Sequence, residues 1–226
     1  MEFGRAFSFV FQDPDWLKKV GIAAAVFLIP LVGPIILMGW GLEITRRVIN
    51  NDPEPLPDWS DFSGLLQKGL RAFVVSLAYM LPVILILICG QIINGVAIAG
   101  LSNSDSDTAG IVITIVVSCM MCLVSILAIA AGFILPAANG LLAVNEQVGA
   151  AFRFNEVLGL VRAAPGPYVM VVLGAGLANL LLAPLGALVC GIGLLVSSAF
   201  VTAVTGHLTG QAYTAARSTQ TGASSL

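Results

Sequence analysis

Three stretches of this chain, residues 72–101, 109–144 and 163–206, contain no Asp, Glu, Lys, Arg or His. Each is longer than the roughly 20 residues that a helix needs to cross the hydrocarbon of a bilayer. A soluble domain carries about 25% charged residues. Here 10% are charged and 58% hydrophobic, at a mean hydropathy of +0.99. Such a chain lacks the polar side chains to cover itself in water. In lipid, backbone N–H and C=O groups must be paired within the chain, so uninterrupted apolar runs of this length imply α-helix. The expected class is an all-α integral membrane protein, a polytopic helical bundle.

Five apolar blocks are expected: 20–45, 72–101, 109–138, 168–189 and 194–213. The first is interrupted by Pro30-Leu31-Val32-Gly33-Pro34. Two prolines four apart remove two backbone donors and favour a break. That block is therefore one kinked span or two half-helices in a re-entrant hairpin. Cytoplasmic loops are enriched in Lys and Arg. The positive segments are Arg5 with Lys18 and Lys19, then 46–71, then Arg153 to Arg162, then Arg217. A spanning first block would put the N-terminal cluster on the opposite side from the others. A hairpin puts all of them on one side, so the charge pattern favours the hairpin, with segments 46–71 and 139–167 and the C-terminus cytoplasmic in a cell membrane.

The interval 46–71, RRVINNDPEPLPDWSDFSGLLQKGLR, is the longest polar stretch. Pro53, Pro55 and Pro57 enforce an extended run. Asp58 is placed to cap a helix, with Asp61 in its first turn. Trp59, Phe62, Leu65, Leu66 and Leu70 then form one face of an amphipathic helix lying at the membrane surface, which is expected to run into the next span through Arg71. Residues 1–12 read as a second interfacial helix, with Phe3, Phe7, Val10 and Phe11 on its apolar face. Asp13-Pro14-Asp15 starts the next helix, and Trp16, Lys18 and Lys19 serve as interfacial residues. No signal peptide is expected, because the first apolar core starts only after Lys19 and is broken by prolines. Residues 1–213 are expected to form a single transmembrane domain, with 214–226 a flexible polar tail.

The charge-free spans argue against a proton relay, an ion-coupled transporter of the usual kind or an acid–base enzyme. Glu43 has Arg46 and Arg47 at i+3 and i+4, the spacing of helix ion pairs. It reads as a helix-end pair at the interface, the sharper alternative being a contact to a lipid headgroup or partner. Cys119-Met120-Met121-Cys122 offers soft ligands of the kind that suit Cu(I). No histidine lies near it in sequence, and core packing is the better account. Cys89 and Cys190 likewise lie inside apolar blocks, so no disulfide framework is expected. His207 and the nearby Ser197 and Ser198 lack a nucleophile-turn context. Gly206 and Gly210 instead form a small-xxx-small contact face. Gln91, Asn94, Asn139 and Asn179 read as interhelical hydrogen-bonding groups or, failing that, as the lining of a polar cavity.

The order of features resembles a family of uncharacterised prokaryotic polytopic membrane proteins, a domain of unknown function. The residues that carry the resemblance are Asp13 to Lys19, the break at Ile29-Pro30, Gly39-Trp40-Gly41-Leu42-Glu43 running into Arg46-Arg47, the loop Leu56-Pro57-Asp58-Trp59 before Phe62, and Gly210-Gln211-Ala212-Tyr213. The resemblance implies topology and carries no activity. The function expected from the sequence is a non-enzymatic scaffold or accessory subunit of a membrane complex, the alternative being a lipid- or small-solute-handling permease. The expected partners are the bilayer and other membrane subunits or a second copy. No basic stripe points to nucleic acid, and no cofactor is expected. Glu43, Arg46, Arg47, Pro57, Trp59, Phe62, Gly206 and Gly210 are the candidate interaction or structural residues.

Overall fold

A computed structural model describes residues 2–101, 107–188 and 192–223. Its regular structure is helical: α1 Arg5–Gln12, α2 Trp16–Phe27, α3 Val32–Ile49, α4 Phe62–Leu101, α5 Asp107–Asn145, α6 Val148–Ala151, α7 Phe154–Ala163, α8 Pro165–Leu188 and α9 Ile192–Ala223. Among the described residues, four helical stretches are long and apolar enough to cross a membrane: Phe62–Val96, Gly110–Asn145, Pro165–Leu182 and Gly193–Gly222. They correspond to the last four apolar blocks.

The first block is a helical hairpin rather than one kinked helix. Its tip is a tight turn in which Val32 N donates to Pro30 O at 2.7 Å. Leu31 sits between them at φ 64°, ψ −48°, the strained geometry of a γ-turn. Gly33 lets the two helices close, because a Cβ there would strike the carbonyl of Val26. At the open end, Lys19 near the start of α2 reaches Leu56 in the loop that leaves α3, Nζ to O 3.0 Å. Chain enters and leaves the hairpin on the same side. The 12 residues of α2 rise only about 18 Å at 1.5 Å per residue.

Two local expectations change. The amphipathic helix expected from Trp59 begins at Phe62, and as expected it continues through Arg71 into the next span, unbroken through Pro82 to Leu101. Its N-cap is Asp61, whose Oδ1 accepts from Gly64 N at 2.9 Å. Asp58 instead faces Lys19 at 3.4 Å. The tail expected to be flexible is helical as far as Ala223. Arg217 holds it down, pairing with Glu156 of α7 at 2.6 Å and lying over the Tyr213 ring. Residues 224–226 fall outside the described residues, as do 102–106 of the acidic loop and Cys190.

By their contacts the residues fall into two compact units, Met1–Val75 with Phe133–Leu226, and Ser76–Gly132. The second unit comprises the later part of α4 and the earlier part of α5, with Leu77, Leu81, Leu85, Ile115, Ile126 and Ile129 among its exposed side chains. In the first unit, α3 is central. Its Ile36, Leu37, Trp40 and Ile44 form a core with Phe9 and Val10 of α1, Val20 and Ala23 of α2, and Ala199 and Ala203 of α9. Glycines set the spacing of this core. A Cβ on Gly39 would strike the carbonyl of Leu65, and one on Gly69 the carbonyl of Ile35. Gly206 and Gly210 lie against α3, at Gly41 O and at Val48 and Thr45 O. Thr45 Oγ1 lies 3.0 Å from both Gly41 O and Gly206 O. The small-xxx-small face thus packs inside this chain.

A candidate solute-binding cavity

Lys19 organises the loop that follows α3. It is buried, and its Nζ donates to Asp13 Oδ2 at 2.7 Å and to Leu56 O at 3.0 Å. Burial alone would lower its pKa, but the hydrogen bond and charge of Asp13, helped by Asp58, outweigh that and hold it above the usual 10.5. Two tryptophans complete the clamp. Trp59 Nε1 donates to Lys19 O at 2.9 Å, and Trp40 Nε1 donates to Pro57 O at 3.2 Å. Their rings stack with centroids 5.8 Å apart. Arg47 donates to Glu54 O at 3.0 Å and Leu56 O at 3.4 Å, and Glu54 N donates to Asp52 Oδ1 at 3.0 Å. Asn51 at φ 54° ends α3 in the left-handed conformation and turns the chain into this loop. Segment 51–55 is thereby fixed as a wall although it has no regular structure.

Facing that wall is a stripe of α9: His207, Gln211, Thr214, Ala215 and Ser218, spaced along one helical face. The N-terminal segment closes a third side. Phe9 stacks on the His207 ring at 4.3 Å between centroids. Glu2 N donates to Gln211 Oε1 at 2.9 Å. That backbone donor sets the amide so that Gln211 Nε2 points at His207 Nδ1, 3.1 Å away. An amide NH₂ can only donate, so Nδ1 accepts and the ring proton sits on Nε2. The three walls enclose an open cavity of about 660 Å³. Its volume falls in the range of small-molecule sites, about 300–1,000 Å³.

A separate ionic cluster joins α3, α4 and the end of α5. Glu43 pairs with Arg47 at 3.4 Å and Arg46 at 3.8 Å, the helix pairs expected from spacing. A third cation, Lys68 of α4, is closer at 2.6 Å. Arg46 also reaches Glu146 at 2.8 Å, and Arg71 donates to Glu146 O at 2.8 Å. Glu146 ends α5 at φ 55°, held there from two sides.

Of the residues singled out in the sequence, Pro57, Trp59 and Arg47 belong to the clamp, and Phe62 lies beside it with its ring 6.4 Å from that of Trp59. Gln91, Asn94 and Asn179 are not among the lining of the cavity, and the Asn179 amide donates to Ala175 O of its own helix. Asn139 Oδ1 is buried with no hydrogen-bond partner among the described residues. Sequence reasoning missed Asp13–Lys19 as a buried pair, Trp40 as a donor, Lys68 and Gln211. Trp40 and Lys68 act on residues far along the chain, which no local spacing reveals, whereas Gln211 with His207 four residues before it has the spacing of a helix pair. Cys89, Cys119 and Cys122 are exposed side chains on α4 and α5.

A family model for proteins of unknown function matches residues 22–213. The chain belongs to that family, DUF4013. No curated protein and no solved structure matches it. In this DUF4013 protein the matched region holds α3, the clamped loop, His207 and Gln211, while Asp13, Lys19 and α1 precede it.

Proposed function

We propose that the protein is a non-enzymatic multi-pass membrane protein that binds a small polar solute in this cavity. The arginine-bearing end, with the loop 46–71, the segment 139–167 and the C-terminus, faces the cytoplasm. The observation that carries the reading is the cavity itself. Its walls come from three parts of the chain, and internal hydrogen bonds fix them before any ligand arrives. Preorganised walls lower the ordering cost of binding. The Lys and Arg residues near this end support the sidedness. The α2–α3 hairpin supports it too, because it returns the chain to its starting side. The exposed apolar surface of α4 and α5 fits lipid contact and equally a scaffold role beside another membrane subunit. The polar cavity favours solute binding over that reading.

The test is a single cysteine at Thr214, with the four native cysteines replaced by serine, labelled with a membrane-impermeant maleimide. Labelling of inside-out vesicles but not of intact cells, and slower labelling in the presence of a bound solute, is the expected result. Labelling from the outer face, or no labelling from either face, would overturn the reading.

A further inference from the structure

We infer that the ligand of this cavity is a small organic amine that also carries hydrogen-bonding oxygens; the inference rests on the solute-binding reading above. Among the described residues, four carboxylates line the cavity, those of Glu2, Asp13, Asp52 and Glu54, against one lining cation, Arg5. Two of the four are already neutralised. Arg5 pairs with Glu2 at 3.2 Å, and Lys19 with Asp13 at 2.7 Å. Asp52 and Glu54 have no cationic partner among the described residues. They sit on the segment whose backbone Arg47 holds at Glu54 O and Leu56 O, and Asp52 Oδ1 also accepts from Glu54 N. A protonated amine supplies the missing charge.

The opposite wall asks for something different. His207 is only 5% exposed. Its Nδ1 is taken by Gln211, and its Nε2–H has no acceptor among the described residues. His207 lines the cavity, so this donor is open there to solvent or to a ligand rather than sealed away. A hydroxyl, carbonyl or carboxylate oxygen on the ligand meets it, whereas an ammonium group cannot. The Gln12 and Asn51 amides add further hydrogen-bonding capacity around the rim. The cavity is thus cation-seeking on the loop side and oxygen-seeking on the α9 side. A simple anion is repelled by the loop. A sugar without an amine leaves both carboxylates unanswered, and an oxygen-free polyamine leaves His207 unanswered.

The experiment uses the full chain in mild detergent at neutral pH and low salt, titrated with glucosamine, glucose and spermidine while heat of binding is measured. Glucosamine should bind at least about tenfold tighter than glucose, the equivalent of about 1.4 kcal/mol. Asp52→Asn with Glu54→Gln should bring the two sugars to within about twofold; the asparagine keeps the acceptor for Glu54 N, so the loop retains its shape. His207→Phe should weaken glucosamine about tenfold and leave spermidine unchanged. Equal binding of the two sugars to the wild-type protein, or selectivity that survives the double substitution, would overturn the amine assignment. If the Thr214 cysteine is protected by glucose as well as by glucosamine, the ligand class fails while the solute-binding reading stands. If that cysteine cannot be labelled at all, the underlying reading fails.

Discussion

Lys19 Nζ donates to Asp13 Oδ2 and to Leu56 O, so one buried ammonium ties the chain ahead of α2 to the loop beyond α3. The pair is almost wholly out of water, at 7% and 5% side-chain exposure. Lys19→Met keeps the unbranched stem but strands the Asp13 carboxylate and the Leu56 carbonyl. Removing one partner of a buried pair costs about 3–5 kcal/mol, and denaturant unfolding in detergent should show a loss of that order. The pH dependence has a defined sign. Because the folded pKa lies above 10.5, the unfolded chain loses its proton first as pH rises. The contribution is complete below that value and disappears as pH climbs through the folded one. Wild-type melting temperature should therefore fall on this alkaline limb, and the Lys19→Met protein should lack that component.

Glu43 meets three cations, and the nearest, Lys68, comes from α4. Glu43→Gln leaves Arg47 and Lys68 facing each other across a neutral amide, while Arg46 keeps Glu146. The loss should be about 1.5–3 kcal/mol, the range for hydrogen bonds to charged groups. Part of it is repulsion between cations, so raising the salt concentration should shrink the difference from wild type. A difference that does not change with salt would mean that packing, not charge, holds this corner.

The apolar blocks and the break at Pro30 were legible because periodicity and proline act within a few residues. The same holds for the Glu43 pairs with Arg46 and Arg47, and for the Gly206–Gly210 stripe, since i+3 and i+4 neighbours are set by the helix itself. The cavity was not legible. Its polar groups are Asp52 and Glu54 in a loop, and His207 and Gln211 at the far end of the chain, and only tertiary packing brings them together. The capping error has a similar origin. Asp58 and Asp61 are equivalent as local signals, and the choice between them is made by Lys19, whose charge holds Asp58 at 3.4 Å. The tail looked polar enough to fray, but Glu156 lies 61 residues away from the Arg217 it anchors.

Glycine positions give a paired prediction. Gly39 and Gly69 face backbone carbonyls across the α3–α4 contact, so an alanine at either must push two helices apart. Each substitution should cost about 3 kcal/mol or more, the upper end for overpacking. Gly21, inside α2, has nothing within 4 Å of the place where its Cβ would stand. Gly21→Ala should stabilise by about 0.5–1 kcal/mol through helix propensity alone. The two classes are compared by melting temperature in one detergent. Equal effects would show that α3 and α4 do not approach as closely as described.

Leu31 separates strain from membrane contact at the hairpin tip. It holds a positive φ of 64° and is 84% exposed, so its side chain gains little from the protein itself. The positive φ of this γ-turn costs a residue with a Cβ on the order of 1–3 kcal/mol, and glycine avoids most of that. Leu31→Gly should therefore raise stability in detergent by about 1 kcal/mol. Leu31→Asp probes the surroundings. With the tip sunk among acyl chains, a carboxylate there carries an insertion cost of up to about 2.5–3.5 kcal/mol, and the amount of membrane-integrated protein in cells should drop. A Leu31→Asp protein that accumulates in the membrane as well as wild type would place the tip in water, and the re-entrant reading of the hairpin would fail.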